Sequence, residues 1–62
     1  MKVTVNHNSD AVYLNDNVIA IVDNPRKTEE MLYEIFNAID TVKPHITLES
    51  INEDQRTIVG EW

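Results

Sequence analysis

Asn24-Pro25-Arg26-Lys27-Thr28-Glu29-Glu30-Met31-Leu32-Tyr33-Glu34-Ile35-Phe36-Asn37-Ala38-Ile39 is the stretch from which the fold can be read. Asn24 is a capping residue, and proline suits the first helical position because its missing N–H is not needed there. Leu32, Ile35, Phe36 and Ile39 recur at i, i+3, i+4 and i+7, with Met31 and Val42 extending the stripe, so an amphipathic helix is predicted. Glu29 and Glu30 are placed in its first turn, where the helix dipole favours acids. Pro44 stops the helix at or before Thr41 to Lys43.

Upstream of the helix the pattern is that of strands. Lys2 to His7 alternates, with Val3 and Val5 on one face. Asn8-Ser9-Asp10 has turn chemistry. Ala11 to Leu14 and Val18 to Val22 are β-rich and flank Asn15-Asp16-Asn17, whose side chains tolerate left-handed backbone, so a hairpin is expected. Downstream, His45 to Ile51 alternates through Ile46 and Leu48. Ile51 then falls on the other face, which predicts a bulge or bend near Ser50. Asn52-Glu53-Asp54-Gln55 is a polar turn, and Arg56 to Glu61 is a last strand before Trp62. The order β-β-β-α-β-β predicts a single α+β domain over residues 1–62, an antiparallel sheet with one amphipathic helix packed on one face.

Val18 to Val22 and Thr57-Ile58-Val59 are apolar on both faces, more than such a sheet needs. Part of the second face is therefore expected to be covered by Trp62, a second copy or a partner.

The chain has 62 residues, eleven acids, five Lys and Arg, and a formal net charge of −6. So short a chain buries roughly 60% of its unfolded surface and is marginal on its own. It has no cysteine, hence no disulfide, and this fits a reducing, cytoplasmic location. Met1 to His7 lacks the apolar run of a signal peptide. The longest apolar run, Val18 to Val22, is far too short for a membrane span. Without clustered Lys and Arg, neither phosphate backbones nor anionic membranes are expected as direct ligands, whereas basic protein surfaces are.

Chemistry-bearing patterns are absent. Asn6-x-Asn8-x-Asp10 opens like a calcium loop, but Ala11 replaces its glycine and Asn17 its distal glutamate. His7 and His45 lack partner ligands. Ser9 and Ser50 lack the glycine setting of a nucleophile elbow. Gly60 is the sole glycine, so no phosphate-cradling loop exists. No metal, no cofactor and no enzyme activity are expected.

With Leu32 facing the core, Glu30, Glu34, Asn37 and Thr41 form the outermost helix ridge, and Glu29, Tyr33 and Asp40 follow one flank. Glu30 and Glu34 are like charges at i, i+4, which disfavours the helix slightly. Asp10, Asp16, Asp23, Glu53 and Asp54 lie in turns. The candidate partner-binding residues are Glu29, Glu30, Tyr33, Glu34, Asp40, Glu53 and Asp54.

Short length, absence of cysteine and the acids at Glu29-Glu30, Glu34, Asp40 and Glu53-Asp54 give the chain its resemblance. In composition it resembles the small acidic inhibitors encoded by phages and mobile elements, DNA mimics and anti-CRISPR proteins among them. That resemblance implies a protein that masks the basic groove of a nucleic-acid-binding enzyme. The rival expectation is a homo-oligomeric assembly protein, a homodimer for instance, that uses the second sheet face and Trp62.

Overall fold

A computed structural model describes residues 1–39 and 45–62. The elements are β1 (Lys2–Asn6), β2 (Ala11–Leu14), β3 (Asn17–Ile21), α1 (Pro25–Ala38), β4 (Thr47–Asn52) and β5 (Gln55–Glu61). One helix packs against one five-stranded sheet, so the chain is a small α+β domain. No helix among the described residues is long and apolar enough to cross a membrane.

The strand order is β3-β2-β1-β4-β5. Three neighbouring pairs are antiparallel, but the pair of β1 with β4 is parallel, so the sheet is mixed. Chain direction explains this. β1 and β3 both oppose β2, and the helix carries the chain back to the end where β1 starts. β4 must then run along β1 when it pairs there.

Local chemistry accounts for the connections. Leu14 and Asn17 are joined by Asn15 and Asp16, both at positive φ (47° and 70°), which Asn and Asp adopt more readily than other side chains. Asn24 accepts the Lys27 amide on Oδ1 at 3.1 Å and the Thr28 amide on its carbonyl at 3.0 Å, and Pro25 is the first helical residue. Glu29 and Glu30 fall in the second turn, not the first. The first turn holds no acid and carries Arg26 and Lys27 instead, so the helix dipole gives these two glutamates little. The helix ends at Ala38, with the Ile39 amide still bonded to Ile35 O at 3.2 Å. The expected extension through Val42 to Pro44 lies outside the described residues.

The core is Val3, Val5, Val12, Phe36, Ile46 and Leu48, with Leu14, Val22, Leu32, Val59 and Trp62 packed around it. Of the helix stripe, Phe36 is buried and Leu32 half-buried, whereas Met31, Ile35 and Ile39 are exposed. Five strands span about 24 Å and one helix about 10 Å, so a single helix cannot cover the whole face.

Both edge strands are irregular. The β2–β3 register shifts at Val12/Tyr13, leaving Ile19 as the extra residue, and the β4–β5 register shifts at Leu48/Glu49, leaving Val59 as the extra one. The bulge expected near Ser50 therefore falls on the strand facing β4. Ile51 faces the helix-free side in ordinary alternation, beside Asn6.

Trp62 lies on the helix side. Its ring meets Phe36 and Tyr33 edge to face, at centroid distances of 5.2 and 5.5 Å, and Nε1 donates to Asn37 Oδ1 at 2.7 Å. Trp62 is thus no cover for the second sheet face. The indole lies over Gly60, where an added Cβ would approach its ring to 2.6 Å. Gly60→Val is expected to displace the indole and cost about 1–3 kcal/mol, seen as a lower urea midpoint and red-shifted tryptophan emission.

Glu53 is held at φ 57°, and its backbone is clamped by Asn8. Asn8 Nδ2 donates to Glu53 O at 2.8 Å, and Glu53 N donates to Asn8 Oδ1 at 2.9 Å. A left-handed glutamate is strained, whereas asparagine tolerates that backbone. Glu53→Asn is expected to raise stability by about 0.5 kcal/mol, with thermal melting as the check.

Candidate functional site

The helix spacing brings four of the expected residues together. Glu29, Glu30, Tyr33 and Glu34, with Val59 from β5, line an open concavity of about 440 Å³ between the helix and the β5 edge. Glu29 and Tyr33, and likewise Glu30 and Glu34, are one turn apart, so two rows of side chains border the groove. Tyr33 meets the Trp62 ring in an edge-to-face arrangement.

The three carboxylates are not equivalent. Glu29 is mostly buried, and His7 Nε2 donates to its Oε1 at 2.8 Å, which ties the helix to the end of β1. Glu30 is exposed and lies 3.8 Å from the equally exposed Arg26, a pair worth only a few tenths of a kcal/mol. Glu34 is exposed, and its carboxylate enters none of the ion pairs among the described residues. A partner would therefore meet Glu30 and Glu34 first, with the Tyr33 ring and Val59 as the apolar floor.

Glu53 and Asp54 do not line this groove. They form the β4–β5 turn at the end of the sheet where the helix begins. Glu53 is joined to Asn8, and the adjoining His7 is joined to Glu29. The turn acids and the first half of the helix thus belong to one end of the molecule. Asp40 lies outside the described residues.

A second concavity, about 170 Å³, opens on the helix-free face and is lined by Thr4, Asn6, Tyr13, Asp16, Glu49, Ile51 and Arg56. Its floor is Glu49, with a side chain only 10% exposed. Glu49 Oε1 accepts Thr4 Oγ1 at 3.2 Å and lies 3.4 Å from Arg56 Nη1. Sequence reasoning missed this cluster. Alternation in β4 puts Glu49 opposite Leu48, but its meeting with Thr4 follows from the parallel β1–β4 register, which no local pattern reveals.

Among the described residues no group of three His, Cys, Asp or Glu side chains is placed to hold a metal ion, and no buried side-chain nitrogen or oxygen lacks a hydrogen-bond partner. Comparison with protein-family models, curated proteins and solved structures finds no match to this chain.

Proposed function

We propose that this chain is a binding protein, not an enzyme, that masks a basic, nucleic-acid-binding surface of a partner protein. The observation that supports this reading is the grouping of Glu29, Glu30 and Glu34 around Tyr33 and Val59 in one open groove on a chain of net charge −6. Carboxylates at i, i+4 spacing offer acceptors to Lys and Arg side chains that otherwise hold phosphates, and the aromatic and aliphatic floor adds residence time. Long-range attraction between an acidic module and a basic groove speeds encounter and weakens with salt. This is the mode of action expected of a DNA mimic or an anti-CRISPR inhibitor.

The test is capture of partners from lysate on the immobilised protein at low and high salt. A nucleic-acid-binding protein that is released by salt and displaced by competing DNA or RNA is the expected result. Capture of only apolar partners that salt does not release would overturn the reading.

A further inference from the structure

Among the described residues the sheet has two free edges, and their chemistry differs. β5 carries Arg56 and Glu61, the kind of charge that keeps an edge from pairing with another strand. β3, Asn17-Val18-Ile19-Ala20-Ile21, carries none, and all five of its residues are exposed. Val18 is 56%, Ile19 58% and Ile21 73% exposed. The bond from Val22 N to Asp10 O, 2.7 Å, sets the alternation of the β2–β3 ladder, so the amide and carbonyl of Ile21 turn toward the free edge. The bulge at Ile19 leaves two successive apolar side chains exposed next to those groups.

Val18 and Ile21 point away from the helix: they pair with Tyr13 and Ala11, which stand beside Thr4 and Asn6 on the helix-free face. The Glu29–Tyr33 flank of the helix faces β5 through Val59. The opposite flank of the helix carries exposed Met31 and Ile35, with Met31 beside Lys27, Glu30 and Glu34.

We propose that β3 is a self-association edge: two copies pair β3 to β3, antiparallel about a two-fold axis, and join their sheets into one. Two features favour a second copy over a foreign strand. A strand paired antiparallel with itself presents the same patch on both sides, as a two-fold interface requires, and here that patch is uncharged throughout. Of the two acids that flank β3, Asp16 is paired with Lys2 at 3.2 Å and Asp23 lies beyond the strand's end; the acids of the groove lie on the β5 side. That same placement puts the acidic grooves of the two copies at the far ends of the joined sheet, which limits repulsion between two chains of −6. Face-to-face stacking of two copies on their helix sides is disfavoured, because it would bury the Glu34 carboxylate and the loosely paired Glu30–Arg26 ions. The inference stands apart from the masking role, since it uses the opposite edge.

Sedimentation equilibrium from about 10 μM to about 1 mM, the range of small, weak interfaces, tests it. The native chain is expected to rise from 7.2 kDa toward twice that mass, and more readily at high salt, because screening weakens the repulsion between like-charged copies. Ile21→Lys is expected to stay at 7.2 kDa throughout, while Ile58→Lys, on the other edge, associates like the native chain. Circular dichroism establishes that each variant is folded. Independently of any variant, exchange of the Ile21 amide is expected to slow at least tenfold from dilute to concentrated native protein. A native mass fixed at 7.2 kDa, native-like association of Ile21→Lys, loss of association in Ile58→Lys, or unchanged Ile21 exchange would each overturn the proposal.

Discussion

Leu48→Ala is expected to remove roughly half of the protein's stability. Leu48 is 0% exposed and lies on β4, an interior strand of the sheet, paired with Val3 on one side and Gly60 on the other. Its side chain belongs to the one cluster that joins the sheet to Phe36. Truncating a buried leucine removes transfer free energy and leaves a cavity, costing about 2–5 kcal/mol. A domain of this length has a total stability of roughly 3–9 kcal/mol. The loss is therefore a large share of the whole, because the core has few other buried side chains to share it. Urea titration followed by far-ultraviolet circular dichroism and by Trp62 emission is the measurement. A midpoint at least about 1 M lower is expected for a protein of this size. A native midpoint would show that the cluster around Leu48 does not hold the sheet to the helix.

How much of this arrangement is legible in the sequence depends on how local its cause is. The Asn15-Asp16 hairpin and the Asn24-Pro25 helix start follow from the conformational preferences of a few adjacent residues, and both are where those preferences put them. The parallel β1–β4 pairing depends on where a strand docks after the helix, and neither strand's own residues specify a neighbour. Thr4 and Glu49 could not be placed together without it. The helix stripe was misleading for a geometric reason. Periodicity identifies the side of Met31, Ile35 and Ile39 as apolar, but it does not say that the sheet is wider than the helix that covers it. The excess of apolar residues in Val18 to Val22 was legible as an excess. What could not be read was that it falls on an edge strand of the sheet. Of the candidate site, Glu29, Glu30, Tyr33 and Glu34 follow from helical spacing alone, and the groove contains all four. Val59 joins them only because β5 lies on that side of the sheet. Trp62 meets Tyr33 only because the indole folds back over Gly60.

Reversing Glu30 and Glu34 together to Lys is expected to abolish partner binding while the fold persists. Each reversal adds two charges, so the chain moves from −6 to −2, and both changes fall on exposed side chains. The cost to folding is small. The exposed Arg26–Glu30 pair is lost and one like-charge pair replaces another, together a few tenths of a kcal/mol. The cost to binding is larger, because a lysine placed against a basic surface removes an attraction and adds a repulsion. Two such positions are expected to weaken affinity by about a hundredfold or more, on the order of 3 kcal/mol. The dependence of affinity on salt should flatten with them, since fewer opposed charges remain to be screened. Glu30→Gln with Glu34→Gln removes the attraction without adding repulsion, so a smaller loss is expected. That ordering separates a direct electrostatic contact from a disturbed helix, which would respond to both pairs alike. Calorimetric titration against the partner recovered from lysate, at two salt concentrations, measures all of these quantities. If the lysine pair binds as the native chain does while Glu53→Lys with Asp54→Lys loses binding, the contact lies on the β4–β5 turn. If neither pair weakens it, carboxylates do not carry the interaction, and the apolar β3 edge becomes the surface to alter next.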